Sequence, residues 1–172
     1  MRSLYRNFVV PFVFALAAFS FGQGDTAPKV SISVAQKTVI AGKPVQAILS
    51  VTFADGLHGY QNPPTDPTLI PVVVKSIDTI FKVVKVSYPK GTPAKVGGES
   101  APVNVYAGTI KIPVTLTAPT KLGKATLTLK FDYQQCNEQA CFPPNSITTK
   151  IDLTVVKSGA GKASTATAKV GR

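Results

Sequence analysis

Apolar and polar residues alternate with a period of two through most of the chain, the pattern of strands that bury one face and expose the other. Val30, Ile32 and Val34 form the first such run, and Val45, Ala47, Leu49, Val51 and Phe53 the second. Segments 70–77 and 80–86 follow. Ile110, Ile112, Val114 and Leu116 repeat the pattern, as do Ala125, Leu127, Leu129, Phe131 and Tyr133, and finally Ile147, Ile151, Leu153 and Val155. Turn residues separate the runs at Ala41-Gly-Lys-Pro44, Asn62-Pro-Pro64, Pro89-Lys-Gly91, Lys121-Leu-Gly123 and Pro143-Pro-Asn145. About seven short strands over some 130 residues, with no useful helical run after the first 22, predict an all-β, immunoglobulin-like antiparallel β-sandwich. The last two strands should form a hairpin with its tip at one end of the sandwich. Segment 91–102, with three glycines and two prolines, reads as a mobile loop.

The first 22 residues change the picture of where this sandwich works. Arg2 and Arg6 precede an apolar run from Phe8 to Phe21, and Ser20 and Gly22 are small, so residues 1–22 read as a secretory signal cleaved before Gln23. The run is short for a membrane span. Residues 23–157 are then the expected exported domain, and the Gly/Ala/Ser/Thr-rich residues 158–172, with Lys162, Lys169 and Arg172, a flexible basic tail. The chain has 19 Lys+Arg against 8 Asp+Glu, and loss of Arg2 and Arg6 leaves 17 against 8, a formal +9. The lysines are scattered rather than clustered among exposed aromatics, which argues against a nucleic-acid partner.

Both cysteines of the protein lie in Tyr133-Gln-Gln-Cys136-Asn-Glu-Gln-Ala-Cys141-Phe-Pro-Pro144, at the expected hairpin tip. Export permits a disulfide between them. Closing so short a loop removes about 2 kcal/mol of denatured-state entropy, less than a long loop would give. The spacing thus suits a reversible redox pair better than a staple, although a permanent disulfide in a non-catalytic β-sandwich binding module is the alternative reading.

Several segments together resemble the amino-terminal periplasmic domain of the thiol:disulfide interchange protein DsbD, the disulfide bond corrector family. Tyr133-Gln134, Cys136, Cys141 and Pro143-Pro144 are similar to its active-site hairpin, Gly56-Leu-His-Gly-Tyr60 to its Gly-aromatic-His-x-Tyr segment, Tyr88-Pro89 to a strand end, and Tyr106-Ala-Gly-Thr-Ile-Lys-Ile-Pro113 to the strand after its cap loop. The resemblance runs from about Pro28 to Lys157. It implies a thiol:disulfide interchange domain, a protein-disulfide reductase component that needs no cofactor. Such a domain relays electrons from a thioredoxin-like donor to periplasmic disulfide-bearing acceptors, including cytochrome c maturation proteins. It implies that Cys141 forms the mixed disulfides and that Cys136 resolves them. His58, Tyr60, Tyr133, Gln134, Phe142 and Pro143 become neighbours of the site, with Val96, Gly97, Gly98 and Glu99 as the cap loop.

The sequence departs from that family in three respects. No membrane conduit or thioredoxin-like domain follows, so a reductant, such as a separate membrane reductase, is expected on another chain. The cap segment Lys95-Val-Gly-Gly-Glu-Ser-Ala-Pro102 has no aromatic residue, leaving Val96 or Phe142 to shield the sulfurs. Leu57 stands where an aromatic is common. His58, the chain's one histidine, could complete a three-ligand metal set with the cysteines, but nothing in the sequence requires one and no metal is expected. Glu99 and Glu138 would disfavour a nearby thiolate. No Ser-His-Asp or paired-carboxylate pattern supports a hydrolase.

Overall fold

The computed structural model describes residues 26–159 except Thr79; the expected signal segment and the tail beyond residue 159 lie outside them. The described residues form twelve strands: β1 (Lys29–Val34), β2 (Thr38–Ile40), β3 (Pro44–Thr52), β4 (His58–Tyr60), β5 (Val73–Ser76), β6 (Lys82–Val86), β7 (Thr92–Ala94), β8 (Val103–Tyr106), β9 (Thr109–Thr117), β10 (Gly123–Tyr133), β11 (Gln135–Cys136) and β12 (Asn145–Val156). They make three four-stranded sheets, ordered β1-β3-β9-β6, β2-β12-β10-β5 and β11-β4-β8-β7.

The first two sheets are the layers of an immunoglobulin-like sandwich. Ala47, Leu49 and Val51 of β3 and Ile112, Val114 and Leu116 of β9 share one core with Leu127, Leu129 and Phe131 of β10 and Leu153 and Val155 of β12. All are buried at alternate positions, as the period predicts. Each such side chain contributes roughly 1.5–3 kcal/mol through removal from water. Phe131 anchors the end nearest the cysteines, edge-on to Phe53 at 6.5 Å and stacked on Tyr133 at 5.6 Å.

Strand β6 departs from the alternation. A register shift between Val83 and Lys85 inserts Val84 as an extra residue, 66% exposed, so the edge carries no continuous buried face. Ahead of it, Asp78 replaces strand pairing with side-chain bonds. Its Oδ1 accepts from the Ile80 and Phe81 amides, and its Oδ2 from the Thr128 amide on β10.

The third sheet, which the alternation does not predict, joins strands of two to four residues on the end of the sandwich. One face packs on the main core: Gly59 lies so close to Phe53 and Val72 that a Cβ there would fall 2.8 Å from the Phe53 ring. Hydrogen bonds hold the sheet down. Gln61 Oε1 accepts from the Gly91 amide at 2.6 Å, Asn62 Nδ2 donates to Val72 O at 2.8 Å, and the Tyr106 hydroxyl donates to Pro89 O at 2.7 Å. Segment 91–102, expected as a mobile loop, instead begins with β7, which pairs with β8, and buries Val96 to 1% exposure.

Candidate functional site, a covered disulfide

The expected hairpin is present. β10 and β12 pair over eleven positions, from Gly123 opposite Val155 to Tyr133 opposite Asn145, and the tip between them carries both cysteines. Within the tip, Asn137 makes the turn: its Oδ1 accepts from the Gln139 and Ala140 amides, and its own amide donates to Ala140 O. That turn brings the Cys136 and Cys141 Cα atoms to 3.9 Å, and the sulfurs are bonded to each other. Two braces flank them, the Phe142 amide to Gln135 O at 2.8 Å and Gln134 Nε2 to Phe142 O at 3.1 Å.

The two sulfurs have unequal surroundings. Cys136 is 1% exposed, in a small cluster with Tyr60, Val96, Val103 and Val105 on the outer face of the third sheet. Cys141 belongs to the exposed part of the tip. The Tyr60 hydroxyl lies 3.3 Å from Cys141 Sγ, and because a disulfide sulfur carries no proton the hydroxyl is the donor. Burial, and secondly the Glu99 carboxylate, push the Tyr60 phenol above its ordinary range, so it keeps that proton at neutral pH.

The cap segment lies over this bond. The Gly97 amide donates to Asn137 O at 2.7 Å and the Gly98 amide to Glu138 O at 3.1 Å, stitching the cap to the cysteine turn. Gly97 has φ +64°, and a Cβ built on it would stand 2.6 Å from Cys141 Sγ, 2.9 Å from the Tyr60 hydroxyl and 3.7 Å from Cys136 Sγ. Bare glycine backbone therefore occupies the position over the sulfurs, with Val96 packed beneath it. Of the two candidate shields, Val96 belongs to the cluster around Cys136, whereas Phe142 is 48% exposed.

The other expected neighbours divide. His58 stands directly opposite Cys136 in the β4–β11 pairing, and its Nδ1 is buried without a hydrogen-bond partner among the described residues. Tyr133 is 5% exposed and belongs to the main core, stacked on Phe131. Gln134 braces the tip through the bond already given, and Pro143 is exposed. Sequence reasoning missed Gln135, Asn137, Val103 and Val105. Only Asn137 carried a local signal, the side-chain turn that asparagine favours.

A family model described as "Thiol:disulfide interchange protein DsbD, N-terminal" matches residues 29–153. No curated protein matches the chain. Among solved structures, the N-terminal periplasmic domain of ScsB from Proteus mirabilis is similar at 14% identity and a TM-score of 0.49, over 74% of this chain and 44% of that one. The chain thus spans less than half the length of that relative. The reduced N-terminal domain of Neisseria meningitidis DsbD is similar at 20% identity and a TM-score of 0.44, over 73% of this chain and 83% of that one. The PapD-like domain 7 of human CEP192 is similar at 11% identity and a TM-score of 0.36, over 91% of this chain and 99% of that one. With the family match running from β1 into β12 across the cysteine hairpin, the chain belongs to the DsbD amino-terminal family.

Proposed function

We propose that residues 23–157 form an exported, periplasmic relay domain that takes electrons from a thioredoxin-like dithiol and passes them to disulfide-bearing acceptor proteins. Residues 1–22 act as its signal segment and 158–172 as a basic tail. Family membership supports this reading, and the observation that carries the residue roles is the asymmetry of the two cysteines: Cys141 is an exposed residue of the tip whose sulfur lies under the Gly97 backbone, and Cys136 is enclosed by Tyr60, Val96, Val103 and Val105.

The donor thiolate attacks Cys141 Sγ, forming a donor–Cys141 disulfide while the Cys136–Cys141 bond breaks and its electron pair leaves with Cys136 Sγ. The donor's second thiolate then attacks the first donor sulfur, releasing Cys141 reduced and the donor oxidised, a transfer of two electrons. Toward an acceptor the sequence reverses: the Cys141 thiolate opens the acceptor disulfide, and the Cys136 thiolate displaces the reduced acceptor. His58, Tyr60, Gln134, Phe142 and Pro143 border the reacting pair, and residues 96–99 cover it.

The test uses the full chain. The wild-type disulfide should be reduced by thioredoxin and equilibrate with a dithiothreitol or glutathione buffer while the fold persists, and Cys136→Ser should hold thioredoxin in a mixed disulfide through Cys141. A bond resisting these buffers, with a potential below about −300 mV, would make it the permanent staple of a binding module. Capture by Cys141→Ser but not by Cys136→Ser would exchange the two roles.

A further inference from the structure

We infer that His58 is the proton partner of the Cys136 sulfur, an assignment that rests on the exchange reading and adds an acid–base group to it. Directly opposed residues in an antiparallel pair project to the same face with Cβ atoms roughly 4.5–5.5 Å apart, and His58 and Cys136 are such a pair. In the disulfide state His58 Nδ1 is buried and unpartnered among the described residues, an arrangement that costs free energy in that state. The residue as a whole is partly exposed.

In the disulfide state Cys136 Sγ is not among this nitrogen's partners, and opening the bond frees that sulfur to turn toward it. When the disulfide opens, Cys136 Sγ departs as a thiolate in an apolar enclosure where it is 1% exposed, and an unneutralised anion there is strongly disfavoured. The Tyr60 hydroxyl, the other donor at hand, is directed at Cys141. The acidic groups on neighbouring segments are Glu99 in the cap, Glu138 between the cysteines and Asp55 ahead of β4, and among the described residues none of their side chains is hydrogen-bonded to either sulfur. When the ring carries a proton on both nitrogens, Nδ1–H passes its proton to Cys136 Sγ, leaving a thiol and a neutral imidazole that recovers its proton from solvent. In the return direction Nδ1 accepts the thiol proton as Cys136 attacks the Cys141–partner bond.

The chain has a single histidine, so its imidazole nitrogens can be followed without assignment ambiguity. Nitrogen NMR of the wild-type chain at one fixed pH should show the Nδ1 resonance moving between the oxidised and the dithiothreitol-reduced protein. His58→Gln and His58→Phe should slow reduction by dithiothreitol on the order of a hundredfold, the lower end for positioned acid–base groups. Imidazole signals identical in the two redox states, or folded variants reduced within twofold of the wild-type rate, would overturn the assignment while leaving the exchange reading intact. A folded wild-type chain inert to both dithiothreitol and thioredoxin would overturn the exchange reading and this assignment with it. The spectroscopic arm needs no variant to fold.

Discussion

Gly97→Ala tests whether the cap governs access to the disulfide. A non-glycine residue at φ +64° costs about 1–2 kcal/mol. The added methyl would also stand 2.6 Å from Cys141 Sγ, closer than real contacts allow, and that sulfur is fixed by its bond to Cys136. The strain is relieved by lifting the cap, which requires breaking its two backbone bonds to Asn137 O and Glu138 O, each worth about 0.5–1.5 kcal/mol net. The two quantities are of similar size, so the substitution moves the cap toward an open form by about 1–2 kcal/mol, and reduction through that form accelerates about 5- to 30-fold. The assay is the rate of reduction by dithiothreitol, read by quenching with a thiol-alkylating reagent and weighing the product. The main core is untouched, so the loss in global unfolding should not exceed about the same 1–2 kcal/mol. A rate equal to or below that of the wild type, in a folded variant, would refute the idea that this glycine backbone limits attack.

Other consequences can be measured on the scaffold. Phe131→Ala removes a fully buried ring packed between Phe53 and Tyr133 and should cost about 3–5 kcal/mol in urea unfolding, whereas Val84→Ala on the bulged edge should cost less than about 0.5 kcal/mol. Burial opposes ionisation of Asp132, but hydrogen bonds and charge from Lys130 and Lys75 outweigh it and hold the carboxyl below its usual range. Its stabilising contribution is therefore present above the unfolded carboxyl pKa and lost as pH falls through the folded one. Asp132→Asn should be less stable than wild type near pH 7, by no more than about 1 kcal/mol for so exposed a pair. That gap should close in acid; a gap that persisted below pH 2 would contradict the assignment.

The sandwich was legible because its long strands each have one wet face, so Val45 through Phe53 and Ala125 through Tyr133 announce themselves by alternation. The third sheet was not, because its strands are too short to show a period. β7 contains Pro93, β11 is two residues long, and both acquire strand geometry from neighbours distant in sequence. Segment 91–102 looked irregular from its glycines, and only the fold reveals that Gly97 is required by a sulfur 44 positions later, and that Val96 fills the enclosure behind it. Likewise Val84 looked like one more strand residue until the bulge put it in water. The hairpin and its cysteine pair were readable because their spacing is local. The orphaned nitrogen of His58 was not, since it depends on the pairing of β4 with β11.

The long ladder beneath the cysteine tip sets the lifetime of any covalent complex this domain forms. Opening the bond severs one link, while eleven paired positions and the Asn137 turn keep the two backbones where they were. The freed sulfur thus stays at an effective concentration that no competing thiol in solution can match. On the proposed exchange reading each partner is expelled soon after it is captured, and intermediates should accumulate only when Cys136 is deleted.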